Sequence, residues 1–370
     1  MKLKKISIHN NLTGWDAENI SFDDYLTLLV GASGVGKTQI LRAIKDIANI
    51  ANGNSKNGLE WNVIFECHKK DYQWKGKFIT LFEEDYNNIR RERQEYALEY
   101  ESLKSGDEVI IERTDEQIMF KDKLTVKLDI TKSAIALLKE EEEIKPIYNA
   151  FNQIFELKNY DLGILRISPF IPKNGIEIKE LAQIHSSRFL SQTEKLFLLR
   201  KERMPQFDTI KTLFSEIFTF VEDIDFSMEQ LFNETLYPVL KIKEKGVDTW
   251  IMQNSISSGM LRTLSQITFL VLAQDGDVIL IDEFENGLGV NCINHLAEQI
   301  LTQEKDIQLI ITSHHPYIIN SIPFKKWKVV TRDCSNVRIL TPDQLKIGEF
   351  SKHDAFMQLI QTNAYRTGKE

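Results

Sequence analysis

Short apolar runs alternate along this chain with longer stretches in which apolar residues recur at helical spacing, and that alternation predicts an α/β protein. Residues 3–8 and 26–30 have the composition of strands. The second runs through a glycine-rich loop into Gln39-Ile-Leu-Arg-Ala-Ile-Lys-Asp-Ile, whose three-and-four period predicts a helix. Residues 61–67 and 72–80 read as a hairpin, which would give the sheet an antiparallel edge. From about residue 81 to 232 the pattern turns mostly helical. Phe82, Tyr86, Ile89, Tyr96, Tyr100 and Leu103 recur at three, four or seven on a highly charged segment and predict an amphipathic helix, and residues 195–203 place a basic run on another. Strands return at 239–242, 308–312 and 328–331, and residues 350–365 are helical by pattern. The expected organisation is a core split between 1–80 and 235–345, a mostly helical insertion over 81–234, and a helical tail over 346–370 that packs on the core or meets a partner.

Composition narrows the class. Hydrophobic residues make up 42% and charged residues 27% of the 370, with only 8 prolines, so a sizeable core is within reach and long disorder is not expected. Nowhere do about 18 apolar residues run uninterrupted, and the first residues lack a signal-peptide pattern, so no membrane span is expected. The net charge of -8 argues against a surface that coats nucleic acid by bulk positive charge, while leaving a local basic groove open. Arg90, Arg91 and Arg93 are interleaved with Glu92, Glu95 and Glu99, the pattern of a solvated, salt-bridged face rather than a phosphate surface. Cys67, Cys292 and Cys334 lie far apart, with neither zinc-ligand spacing nor an even count for disulfides, which fits a reducing cytoplasm.

The chemistry is carried by short motifs. Gly31-Ala-Ser-Gly-Val-Gly-Lys-Thr38 satisfies G-x-x-x-x-G-K-[ST] between an apolar strand and a helix, which is the setting a phosphate-binding loop requires. Glycines let backbone N–H groups turn inward around phosphates, and a helix N-terminus favours negative charge. Lys37 would reach the β and γ phosphates of ATP, and Thr38 would coordinate magnesium. Gly31, Ser33, Gly34, Gly36 and Gln39 complete the expected contacts of the loop. Downstream, Asp277-Val-Ile-Leu-Ile-Asp282-Glu283 is an aliphatic run ending in two carboxylates, as a buried parallel strand delivers at its C-terminal edge. Asp282 would hold the magnesium and Glu283 would deprotonate the attacking water. Between the two motifs, Ile256-Ser257-Ser258-Gly259-Met260 is a small polar turn opening a helix, which taken alone reads more readily as an ordinary N-cap than as an anion site. His314, in Thr312-Ser-His-His315-Pro-Tyr, follows an apolar strand and could hydrogen-bond a γ-phosphate, whereas a doubled histidine also suits capping of the next helix.

Taken in order, these motifs resemble the ABC-type ATPase heads of the structural-maintenance-of-chromosomes (SMC), RecF and overcoming-lysogenization-defect group. Ile281-Asp-Glu-Phe-Glu-Asn-Gly-Leu288 is similar to a stretch common in stand-alone ATPases of that group, many of them in bacterial antiphage defence operons. The resemblance implies a P-loop NTPase of ABC type: a mixed α/β sheet with an antiparallel edge and a helical insertion subdomain. It implies ATP and Mg2+ as ligands, Ser257, Ser258 and Gly259 on the γ-phosphate held by a second protomer, Asn286 and Gly287 as the D-loop, and His314 as the switch histidine. Such sites need a homodimer or higher homo-oligomer. The implied partner is a separately encoded effector, a nuclease or toxin, with DNA or RNA also open. Ser33 stands where the group often has Asn, and Ser258 replaces the second glycine of the transporter signature. The glutamine of the Q-loop has several candidates after residue 80. Roughly 150 middle residues match no named module and are too short for a long coiled-coil arm, and with about 55 residues after His315 the nuclease domain some members carry is not expected. A transporter nucleotide-binding subunit shares the motif order, but the insertion and the Asp282–Leu288 stretch disfavour it. A non-hydrolysing ATP-locked scaffold is disfavoured by Glu283.

Overall fold

The computed structural model describes residues 1–81, 95–114, 117–126, 128–157, 180–188, 190–231, 235–348 and 352–369. The chain divides into two compact units, one of residues 1–156, 275–284 and 306–370, the other of residues 157–274 and 285–305.

The first unit begins with β1 (Lys2–Asn10), β2 (Trp15–Ser21), β3 (Leu26–Val30), α1 (Lys37–Ala51), β4 (Leu59–Cys67) and β5 (Lys70–Leu81). It continues through β6 (Glu95–Ser105), β7 (Glu108–Arg113), β8 (Ile118–Phe120), β9 (Lys123–Leu124), α2 (Ala134–Leu137), α3 (Ile144–Asn152) and β10 (Ile154–Leu157). The second unit holds α4 (Leu181–Ser186), α5 (Gln192–Lys201), α6 (Pro205–Ile217), β11 (Val221–Leu231), β12 (Thr235–Glu244), β13 (Trp250–Met252) and α7 (Ser258–Leu272). The chain then supplies β14 (Val278–Ile281) to the first unit and α8 (Val290–Leu301) to the second. The first unit closes with β15 (Gln308–Thr312), α9 (Pro316–Ser321), β16 (Trp327–Asp333), β17 (Asn336–Leu340), α10 (Lys352–Gln361) and α11 (Asn363–Thr367).

The first unit is organised on one 14-stranded sheet in the order β10-β14-β15-β3-β16-β17-β2-β1-β4-β5-β6-β7-β8-β9. Its two halves obey different rules. β14, β15, β3 and β16 are parallel neighbours, and every residue of β14, β15 and β3 is buried, as the aliphatic runs of strands covered on both faces require. From β2 through β9 the pairing within β2-β1-β4-β5-β6-β7-β8-β9 is antiparallel, and β4 alternates strictly between buried and half-buried residues along LEWNVIFEC. The buried face packs Trp61, Trp74 and Phe78, and Phe151 of α3 meets both Phe65 and Trp74 edge-on at 5.1 and 5.2 Å. Gly76 is required there: a Cβ would stand 2.4 Å from the Trp61 ring.

One long-range stitch joins the two halves. Gln308, fully buried at the start of β15, accepts from Leu3 N–H at 2.7 Å and donates to the carbonyls of Leu3 and Asp23 at 2.8 and 2.9 Å. An amide side chain thereby extends the ladder to β1 where no backbone strand is available.

The expected helix over Phe82–Leu103 is a strand from Glu95 onward, and residues 82–94, with Arg90, Arg91 and Arg93, lie outside the described residues. A bulge contributes to the misleading period. Lys77 pairs Tyr100 while Phe78 pairs Leu98, which leaves Glu99 as the extra residue of β6; a second slip, between Leu103 and Lys104, has its extra residue, Ile110, in β7. The extra residue at Glu99 breaks the two-residue alternation of β6 between Leu98 and Tyr100. The insertion expected to be mostly helical therefore contributes five strands, β6 to β10, to the large sheet, and residues 95–156 group with the first unit. Helices dominate only from α4 to α6.

In the second unit, α5 opens with a capping box formed by Ser191 and Glu194, α6 starts at Pro205, and both helices pack on α7. β11, β12 and β13 form a separate antiparallel sheet. The basic run of α5 is locally accounted for, since Arg200 pairs with Asp225 at 3.1 Å and Lys195 is buried against the His185 carbonyl at 2.9 Å.

Candidate functional site

Parallel strands end side by side where the sequence places its chemistry, because β3 feeds the glycine loop, β14 ends before Asp282 and β15 ends at Thr312. Gly31, Gly34 and Gly36 have φ of +139°, +83° and +108°, a region L side chains rarely adopt. A Cβ on Gly31 would also lie 2.6 Å from the Val330 carbonyl of β16. Gly36 is the N-cap of the 15-residue α1 and no side chain caps that helix, so its first N–H groups are presented by the backbone alone, as an anion site needs. Lys37 is buried and donates to the carbonyls of Gly31 and Ala32 at 2.9 and 2.8 Å, which puts the ammonium inside the loop. Gln39 Oε1 is buried and takes no hydrogen bond from the described residues. Ser33 and Gly34 are exposed at the apex.

Behind the loop, three side chains from three elements meet. The Thr38 hydroxyl donates to the Asp282 carboxylate at 2.9 and 3.1 Å, and the Thr312 hydroxyl donates to Asp282 Oδ1 at 2.7 Å. Thr312 Oγ1 also accepts the Glu283 N–H at 2.7 Å, and the Thr312 carbonyl accepts the Phe284 N–H at 3.0 Å. Glu283 itself has φ +47°, a conformation that costs about 1–2 kcal/mol for a side chain of this kind. The turn alternates its contacts: Asp282 is half-buried, Glu283 is exposed and Phe284 is 1% exposed, so the Glu283 carboxylate faces out from an anchored backbone. A hydroxyl and a carboxylate in contact at the start of a helix are hard oxygen donors of the kind a small divalent cation takes, and Thr38 and Asp282 fit that group.

The two histidines separate by role. His315 is the N-cap of α9, its Nδ1 accepting from Tyr317 N–H at 3.3 Å and its ring stacked on Tyr317 at 5.5 Å. His314, half-buried, directly follows β15 and Ser313.

The remaining expected residues lie in the second unit and also converge. Ser257 caps α7, its hydroxyl accepting from Met260 N–H at 3.3 Å, and Ser258 and Gly259 form the first turn. A Cβ on Gly259 would stand 3.3 Å from the Gly287 carbonyl, so the α7 N-terminus and the Asn286-Gly287 turn are in close approach. Sequence reading assigned no role to three residues that the geometry brings forward: Thr312, Arg262 and Arg332. Arg262 binds the Asn286 turn. Arg332 donates to the Gly34 carbonyl at 3.4 Å, and its N–H donates to the Gly368 carbonyl at 2.7 Å. The sequence signal for Thr312 is a hydroxyl directly after the apolar run Leu309-Ile310-Ile311.

A family model described as "AAA domain, putative AbiEii toxin, Type IV TA system" matches residues 26–320. No curated protein matches the chain. Among solved structures, an SMC head bound to the C-winged helix domain of ScpA aligns at a TM-score of 0.50 with 14% identity, over 92% of this chain and 97% of that one. The SMC head domain from Thermotoga maritima aligns at 0.44 with 13% identity, over 92% and 99%. The first of these likenesses shows the fold, a P-loop ATPase head of ABC type with a mixed sheet.

Proposed function

Since this chain belongs to the AAA-domain family described as a putative AbiEii toxin of Type IV TA systems, we propose that it is an ATP-binding and hydrolysing ABC-type head that dimerises around ATP and controls a separately encoded effector. The observation that carries this reading is the Thr38–Asp282–Thr312 cluster directly behind a glycine loop that encloses Lys37. The loop N–H groups and Lys37 bind and orient the triphosphate. Thr38 and Asp282 would hold Mg2+, which when bound would neutralise charge on the phosphates. Glu283 accepts a proton from the attacking water, and His314 donates a hydrogen bond to the terminal phosphate. Ser257, Ser258 and Gly259, at the start of α7, serve the phosphate held by a second copy of the chain, with Asn286 and Gly287 as the D-loop beside them. ATP then acts as the ligand that favours the closed dimer.

The effector reading draws on the family description, which names a toxin system, and on the similar head that holds a winged-helix domain. We place the protein in antiphage defence or DNA metabolism on that basis. The test is ATP hydrolysis by the purified chain with Mg2+, with and without DNA, alongside light scattering of Glu283→Gln. Hydrolysis by the wild type and an ATP-dependent dimer of the variant are expected. A chain that neither hydrolyses ATP nor changes its oligomeric state with ATP at any concentration overturns the proposal.

A further inference from the structure

We infer that Thr312 is a positioning residue of this site, holding Asp282 and Glu283 in register through one hydroxyl group; the inference rests on the ATPase reading above. A threonine hydroxyl has a single proton to give and lone pairs to accept with. Here the proton goes to Asp282 Oδ1 at 2.7 Å and the oxygen takes the Glu283 N–H at 2.7 Å. The two bonds act on different properties. The first orients the carboxylate that also receives the Thr38 hydroxyl, so a chain of contacts runs from β15 through the end of β14 to the first turn of α1. The second holds the backbone of Glu283 at φ +47°, a geometry that persists only where its surroundings over-determine it. Thr312 is 1% exposed, so water does not take over either bond when the hydroxyl is removed. The Phe284 N–H to Thr312 carbonyl bond belongs to the backbone and survives substitution, which keeps the turn attached while its aim is lost.

A plain structural threonine would act through its methyl group and volume. The hydroxyl reading separates from it because Val keeps the shape and removes the bonds, whereas Ser keeps the bonds and removes the methyl. The experiment compares Thr312→Val, Thr312→Ser and Thr312→Ala with the wild type in two assays: steady-state ATP hydrolysis, and the Mg2+ dependence of binding of a fluorescent ATP analogue. Thr312→Val and Thr312→Ala are expected to lose about 10- to 100-fold in kcat, the usual cost of removing a partner that orients a metal-holding or catalytic group, and to need more Mg2+ for binding. KM for ATP should move far less, since Lys37 and the loop are untouched. Thr312→Ser should restore both readouts. Melting curves identify a variant that fails to fold, and Ala, which lacks both γ-methyl groups of Val, keeps the test open if Val does so. Wild-type kcat and Mg2+ dependence in Thr312→Val, or equal losses in Val and Ser, overturn the inference. A wild type that hydrolyses no ATP overturns the ATPase reading instead, and the Mg2+-binding comparison then still decides whether Thr312 orients Asp282.

Discussion

Arg262 Nη1 donates to both oxygens of Asn286, the backbone carbonyl at 2.7 Å and the side-chain oxygen at 3.0 Å. One guanidinium on α7 thereby fixes the conformation of the turn that carries Asn286 and Gly287. Gly287 lies so close that a Cβ would stand 2.4 Å from the same nitrogen.

Arg262→Met should uncouple that turn from α7. The expected outcome is a clear loss of hydrolysis with little change in ATP affinity, because the glycine loop is untouched. Steady-state kinetics beside nucleotide binding check it, and equal losses in both would assign Arg262 a general folding role. Arg262→Lys should not rescue fully, since a single ammonium lacks the planar donor fork.

Gly368, the C-cap of α11 at φ +75°, packs onto the glycine loop so tightly that a Cβ would lie 2.4 Å from Val35 Cγ1. Gly368→Val combines this clash with a backbone penalty of about 1–2 kcal/mol. Weakened ATP binding at near-normal melting temperature is the expected signature, read by titration of a fluorescent ATP analogue. Unchanged affinity would mean that the C-terminal segment and the loop are mechanically independent.

Gln308→Leu leaves the Leu3 N–H and the Leu3 and Asp23 carbonyls without this partner in a buried setting. A loss of about 2–4 kcal/mol is expected from stranded polar groups, measured by denaturant unfolding with unchanged m-value.

Glu101 is fully buried, takes hydrogen bonds from Trp74 Nε1 at 2.9 Å and Ala134 N–H at 2.7 Å, and has Arg113 at 3.9 Å. Burial pushes its carboxyl above the ordinary value of 4.5, while those donors and the guanidinium oppose the rise. Arg113→Met removes one opposing charge and should cost about 3–5 kcal/mol. The sign of its pH dependence follows from the raised value. The folded state keeps a proton that the unfolded chain releases above 4.5, so stability falls as pH rises from there through the folded-state value. Melting temperatures of Arg113→Met between pH 5 and pH 8 should therefore decline relative to wild type, and a flat difference would refute the account.

Most of the site's first contacts were legible in the chain because they depend on local rules. Three glycines at fixed spacing before Lys37 need positive φ wherever the loop is built, and a four-residue aliphatic run before Asp282 suits a strand covered on both faces. β6 was illegible for an equally physical reason: its bulge at Glu99 depends on the partner strand β5, so the alternation that marks a strand is interrupted within its own residues.

Which of two adjacent histidines caps a helix is settled by whether α9 begins beneath His315, a local matter that the string Ser-His-His-Pro left open. The joint grip of Thr312 on Asp282 and Glu283 is different in kind, since it exists because β14 and β15 are parallel neighbours although about 30 residues part their ends. So does the stitch from Gln308 to Leu3 across 305 positions. Short-range backbone constraints write themselves into residue type and spacing, whereas a hydrogen bond between distant segments leaves no periodicity behind, and only the packed sheet brings its donor and acceptor together.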